Sequence, residues 1–151
     1  MNICIYYMLH IIEIDETNSH YITTLLSNEI PSTFRYFNSR SIDIIKNHLL
    51  TIVLLNDQQI PIGYAHIDHE NKFWLGICIL EGYHGMGLGS KIMEYILNHN
   101  KIKALNEIYL TVDSVNTTAI KLYKKFNFDI IEERDNIYVM KKMMHNISQV
   151  S

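Results

Sequence analysis

Three of the chain's six glycines stand at alternate positions in the stretch Tyr83-His84-Gly85-Met86-Gly87-Leu88-Gly89-Ser90. A β-rich run, Phe73 to Leu80, precedes it, and a helical pattern, Lys91 to Leu97, follows. Glycines at a strand-to-helix junction let the backbone approach a ligand closely, and the first N–H groups of the helix have no partner within it. With the helix dipole behind them, those groups bind anions, phosphate above all. The stretch therefore predicts a phosphorylated ligand. Two nucleotide motifs fail on spacing. A dinucleotide fingerprint needs GxGxxG in the first strand–helix turn, whereas this pattern is GxGxG after a fourth strand. A P-loop needs GxxxxGK[ST], and Gly89-Ser90-Lys91 has the wrong order. Metal chemistry finds little support. His66-Ile67-Asp68-His69 is the densest histidine cluster but matches no zinc spacing, and on a strand His66 and His69 face opposite sides. No metal is expected.

The elements that must position the glycine stretch can be read along the chain. Leu9–Ile14 reads as a first strand. Asp15 or Thr17 caps a helix running to about Asn28. Pro31 breaks the chain, and Ser41 caps a second, short helix with Ile42, Ile45 and Leu49 on one face. Thr51–Leu55, Ile60–His69 and Phe73–Leu80 read as three antiparallel strands, turned at Asn56–Gln59 and Asn71-Lys72. The glycine stretch and a helix at 90–98 come next. Glu107–Val112 is a fifth strand, Asn116–Phe126 a helix with Ala119, Ile120, Tyr123 and Phe126 in helical spacing, and Ile130–Glu133 with Ile137–Met140 a closing hairpin. The expected fold class is α/β, a mixed sheet in the order β-α-α-β-β-β-α-β-α-β-β.

Bulk properties suit this frame. A chain of 151 residues makes one domain, and no repeat or linker divides it. Hydrophobic content of 48% and charged content of 19% are ordinary for a soluble globule. A net charge of −3 gives no basic field to attract nucleic acid or anionic lipid. Cys4 and Cys78 lie far apart without a CxxC motif, so they read as buried thiols of a reducing compartment, which points to the cytoplasm. Ile3–Ile14 lacks the basic flank of a signal peptide and is too short to span a bilayer as a helix. Residues 1–7 read as an extension and 144–151 as a frayed tail.

The glycine stretch resembles motif A of the Gcn5-related N-acetyltransferases, the GNAT superfamily, whose pattern is Q/R-x-x-G-x-G/A. Gly87 and Gly89 match, and His84 stands where the family has Gln or Arg. A second signature, N-x-x-A-x-x-L-Y-x-x-x-G-F, is met by Asn116, Ala119, Leu122, Tyr123 and Phe128. Asn127 takes the place of its glycine, and asparagine is the next best residue at a left-handed helix end. The resemblance covers about residues 8–142. It implies acetyl-CoA as co-substrate. His84, Gly85, Met86, Gly87, Leu88, Gly89 and Ser90 would cradle the pyrophosphate, with Asn116 and Tyr123 beside it. Strand four, at Ile77, Cys78 and Ile79, would pair with the pantetheine arm as another strand would. Strands four and five splay in this family, and Gly76 is a place for that bend. Lys91, Lys121, Lys124 and Lys125 could reach the nucleotide phosphates.

The resemblance also implies transfer of an acetyl group to an amine. A base must take the amine proton and an acid must protonate the leaving thiolate. Tyr123 matches the family's general acid. Some relatives carry a Glu base on strand five, at the position of Thr111, which cannot accept a proton. Glu81 is the leading base, followed by Asp68, His66 and Asp113. The acceptor site is expected in residues 29–40 and at the chain's end, where Phe34, Arg35, Tyr36, Phe37 and Arg40 offer aromatic faces and guanidinium groups. This suits a small-molecule primary amine, such as a nucleotide-linked amino sugar. The alternatives are a protein Lys or N-terminal acetyltransferase and a CoA-binding module without catalysis. A homodimer through residues 1–7 or the last two strands is also expected, because the N-terminal run is too apolar to hang free.

Overall fold

The computed structural model describes residues 9–145. The first strand, β1 (His10–Glu13), leads to helix α1 (His20–Leu26). Asp15 and Thr17 do not cap that helix directly. The Asp15 carboxylate accepts from the Thr17 N–H at 2.7 Å, and Asn18 Oδ1 accepts from the Asp15 N–H at 2.8 Å, which makes a turn that delays the helix. The second predicted helix is a 3-10 segment, Ile42–Asn47, with Ser41 at its cap as expected. Leu49, expected on its apolar face, belongs to the next strand.

Three antiparallel strands follow: β2 (His48–Leu55), β3 (Pro61–Glu70) and β4 (Lys72–Ile79). After the glycine stretch come α2 (Leu88–Asn98), the short α3 (Asn100–Lys103), β5 (Glu107–Asp113), α4 (Thr117–Lys125), β6 (Asp129–Arg134) and β7 (Ile137–Met143). The seven strands form one sheet in the order β1-β2-β3-β4-β5-β7-β6. Among the described residues no helix is long and apolar enough to cross a membrane. The residues 1–7 assigned to a dimer contact, and most of the predicted frayed tail, lie outside the described residues.

Two features of the sheet position the site. First, β4 and β5 are its parallel neighbours, and their ladder holds a single pair, Trp74 opposite Tyr109. Beyond it the strands part, as expected, and leave β4 with an open edge from Leu75 to Ile79. Second, β2 skips a register step between His48 and Leu50. Strand side chains alternate, so without this bulge His48 would face away from Thr51, three residues on. With it, His48 opposite Asp68 and Thr51 opposite His66 share one face.

The core lies on both faces of the sheet. Leu88, Ile92, Met93 and Ile96 form the buried stripe of α2 at helical spacing. They cover the face that carries Gly63 and Ile79, where a Cβ on Gly63 would touch both Ile79 and Ile92. On the opposite face, Phe34 and Phe37 pack edge-on against the buried Tyr64 at 5.7 and 5.6 Å. Helix α1 buries Ile22 and Leu25 and packs against β3.

Candidate active site

The glycine stretch opens with a 3-10 turn, Glu81–Tyr83. His84 Nε2 then donates to the Ile79 carbonyl at 2.8 Å and ties the loop back to the end of β4. Gly85 and Gly87 follow in the left-handed region, at φ +79° and +75°. That region costs other L-residues roughly 1–2 kcal/mol. A Cβ at either position would meet nothing within 4 Å, so conformation rather than internal crowding requires glycine there. Gly87 is also the N-cap of α2, whose first N–H groups open toward the loop. Open space, left-handed glycines and a helix N-terminus of eleven residues together fit a pyrophosphate.

Gly89 serves a different end. A Cβ there would come within 2.8 Å of Leu122 Cδ2, so this glycine lets α4 approach α2. Lys125 Nζ donates to Ser90 Oγ at 3.1 Å and draws the same helix to the loop. Asn116 caps α4, its Oδ1 accepting from the Ala119 N–H at 3.2 Å. Asn127 ends the helix in the left-handed region at φ +69°, as its place in the second signature predicts. The N–H of Phe128 returns to the Tyr123 carbonyl at 3.0 Å, and the Phe128 ring meets Tyr123 edge-on. Burial pushes the Tyr123 phenol up to about 12, so it holds its proton through the neutral range. Lys121 and Lys124 are exposed on α4, and Lys91 is half-buried on α2.

On the open edge of β4, Ile77 and Ile79 are half-buried and Cys78 is buried. Burial, with the Glu81 charge behind it, pushes the Cys78 thiol up to about 12, so it remains a thiol. Glu81 itself is exposed where β4 ends.

The face across from α2 carries the acceptor-side residues. The β3–β4 register sets Tyr64 beside Cys78, His66 beside Gly76 and Asp68 beside Trp74. Trp74 and Tyr109 continue the row, with ring centroids 5.4 Å apart. Gly76, two residues past the last β4–β5 pair, also has a packing role. A Cβ there would fall 2.5 Å from His66 Cε1 and 2.8 Å from Nε2, so the glycine makes room for the imidazole. Tyr36 closes over that ring with centroids 4.1 Å apart.

The residues named for acceptor binding and catalysis fare differently. Arg35 donates to both oxygens of Asp113, at 2.9 and 3.2 Å, across 78 positions of sequence. This pair holds the Asp113 carboxyl below its ordinary range, chiefly through the hydrogen bond. Arg40 donates to the Tyr36 carbonyl at 3.1 Å and stacks on its ring at 4.3 Å. His66 and Asp68 are 2% and 5% exposed, shut beneath Tyr36. Burial, then the neighbouring His48 and the Arg40 charge, holds His66 well below the usual imidazole range. Burial raises the Asp68 carboxyl. Thr111 is exposed on β5.

His48, Thr51 and Tyr64 were not foreseen. His48 Nε2 meets the Tyr36 hydroxyl at 2.7 Å, and its ring stacks on His66 at 4.5 Å. Burial and the Arg40 charge pull His48 down to about 4. An alternating pattern read from Thr51 onward excludes His48, because the bulge that recruits it has no signature of its own in the residues.

Comparison with known proteins agrees with this anatomy. The chain is 28% identical over 134 residues to N-alpha-acetyltransferase 50 of Danio rerio, covering 84% of this chain and 80% of that one. It is 34% identical over 77 residues to the spermine/spermidine N(1)-acetyltransferase of Bacillus subtilis, about half of each chain at 48% and 51%. The crystal structure of the ribosomal-protein-S18-alanine N-acetyltransferase from Escherichia coli superposes with a TM-score of 0.71 at 15% identity, over 94% of this chain and 97% of that one. The model of the acetyltransferase (GNAT) family matches residues 12–128. With both signatures on adjoining helices beside a parted parallel strand pair, the chain belongs to the GNAT family of N-acetyltransferases and takes acetyl-CoA as its co-substrate.

Proposed function

We propose that this enzyme acetylates the α-amine of a peptide. One observation carries the reading: the charged groups of the acceptor face are already engaged or buried. Arg35 is held by Asp113 and Arg40 by Tyr36, so neither guanidinium is poised to grip a phosphate. That removes the argument for a nucleotide-linked amino sugar and favours an acceptor with no anionic handle. On the base side, Asp113 is paired with Arg35 and His66 and Asp68 are buried, which leaves Glu81. A sparse base suits an amine that sheds its proton easily. An α-amine has a pKa of about 8, a lysine or polyamine amine one near 10.4. Near neutral pH the first is therefore neutral several hundred times more often. Two similar enzymes bear names that specify an α-amine or a protein alanine.

Acetyl-CoA supplies the thioester. Gly85 and Gly87 with the α2 N-terminus hold its diphosphate, and the open edge of β4 orients its pantetheine arm. The Glu81 carboxylate accepts the proton that the amine loses, and the Tyr123 hydroxyl gives one to the departing sulfur. Trp74, Tyr109, Phe34 and Tyr36 line the acceptor side with aromatic surface that excludes water.

Thiol release from acetyl-CoA with short peptides, spermidine and a nucleotide-linked amino sugar tests the acceptor. Peptide α-amines should exceed the others in kcat/KM by at least about tenfold, or 1.4 kcal/mol. A preference for the amino sugar that disappears in Arg35→Ala refutes the reading. Glu81→Gln should flatten the acidic limb of the pH–rate profile, and an unchanged limb rules Glu81 out as the base.

A further inference from the structure

The buried cluster between β2 and β3 has no part in that chemistry. One ligand atom from each of His48, His66 and Asp68 lies within 4.8 Å of the other two. Both imidazoles are anchored on the same side. His48 Nδ1 meets Thr51 Oγ1 at 2.8 Å, and His66 Nδ1 meets the Tyr64 hydroxyl at 2.8 Å. A hydroxyl accepting from Nδ1–H leaves the lone pair on Nε2, the arrangement by which proteins orient metal-binding histidines.

The Nε2 atoms turn toward the same groups. His48 Nε2 faces the Tyr36 hydroxyl, and His66 Nε2 lies 3.9 Å from Asp68 Oδ2. Asp68 Oδ1 is the one buried side-chain polar atom among the described residues without any partner. An orphaned buried carboxylate oxygen costs roughly 1–3 kcal/mol or more, and among the described residues no lysine or arginine forms an ion pair with Asp68. Arg40, nearby, pairs instead with Glu70 at 4.0 Å.

We propose that His48, His66 and Asp68 bind a divalent metal ion of the zinc class, with the Tyr36 hydroxyl at the fourth position. Two imidazoles and a carboxylate are donors zinc accepts, at about 2.0–2.2 Å each. Tetrahedral ligands at that reach stand about 3.3 Å apart, so the widest pair must close by roughly 1.5 Å. The ion would satisfy Asp68 and fasten the acceptor segment, through Tyr36, to β2 and β3.

Cobalt(II) titrated into the metal-free full chain tests this without any acetyl transfer, so its outcome is independent of the acceptor. The expected result is one equivalent bound, with the intense visible absorption of four-coordinate cobalt, abolished by added zinc. His48→Ala, at the half-buried and most tolerant ligand, should weaken cobalt binding by at least about a hundredfold, and Thr51→Val, which only frees the ring, by about tenfold. Asp68→Asn keeps the shape and should lose the ion. No four-coordinate spectrum in the wild-type chain overturns the site. So does binding undiminished in folded His48→Ala or Thr51→Val, because the metal then sits on surface histidines.

Discussion

The glycine loop and the acceptor face both border β4, yet they are made of different material. From Gly85 to Ser90 the site is backbone: left-handed glycines, a helix N-terminus and empty space where side chains would be. Around His66 it is side chain: two tyrosine rings, two imidazoles and a carboxylate packed until even a Cβ at Gly76 has no room. A backbone cradle suits a ligand that every family member shares, since it needs only a local conformation. A side-chain face can differ from one enzyme to the next while the frame beneath it stays the same. The same residue type thus has opposite meanings across β4. Gly87 is glycine because of its own φ, and Gly76 because of a neighbour's ring.

Removal of the Tyr123 hydroxyl should have the largest effect. Tyr123→Phe keeps the ring against Phe128 and deletes the hydroxyl. Turnover should fall by roughly 10²–10⁴-fold with acetyl-CoA affinity nearly unchanged. Wild-type turnover would reduce Tyr123 to a core residue.

Within the loop, Gly87→Val and Gly89→Ala separate conformation from packing. Gly87→Val strains the left-handed cap and should weaken acetyl-CoA binding by at least about tenfold beside a stability cost of roughly 1–2 kcal/mol. Gly89→Ala pushes on Leu122, and the far end of that side chain can give. Its smaller loss should be largely restored by Leu122→Ala, read by calorimetry of acetyl-CoA binding. Equal effects that Leu122→Ala does not touch would place Gly89 with Gly87.

On the acceptor side, Gly76→Ala drives a methyl into a buried ring and should cost about 1–3 kcal/mol in denaturant unfolding. Replacing His66 as well should remove most of that increment, a non-additivity expected only for residues in contact. Additive losses would show that the glycine is needed for its own backbone.

The smallest effect belongs to the Arg35–Asp113 pair, whose arginine is half exposed. Arg35→Ala should change stability by no more than about 1 kcal/mol, while altering KM for the acceptor because the segment at 34–37 loses its tie to β5. Asp113 has a folded pKa below its unfolded one. The pair therefore contributes fully above the ordinary aspartate pKa of about 3.9, and its contribution fades as pH falls through the lower folded value. A wild-type-minus-variant stability difference that persists below that range would count against the ion pair.

The order of strands, both signature helices, the glycine cradle and the left-handed end at Asn127 could be read from the residues, because each rests on contacts within a few positions. Periodicity over 117–125 and glycine spacing over 85–89 are local facts, and local facts survive folding. The acceptor side could not be read this way. Arg35 looked free for a phosphate until a partner 78 positions away claimed it. His66 and Asp68 stood as candidate bases until Tyr36 closed over them. His48 lay outside the predicted strand altogether. One bulged residue between it and Leu50 turned its ring to the face of Thr51 and His66. A strand has a period of two, so a single inserted residue reverses every facing beyond it. Only the tertiary structure, which fixes that register against β3, could decide which histidines meet.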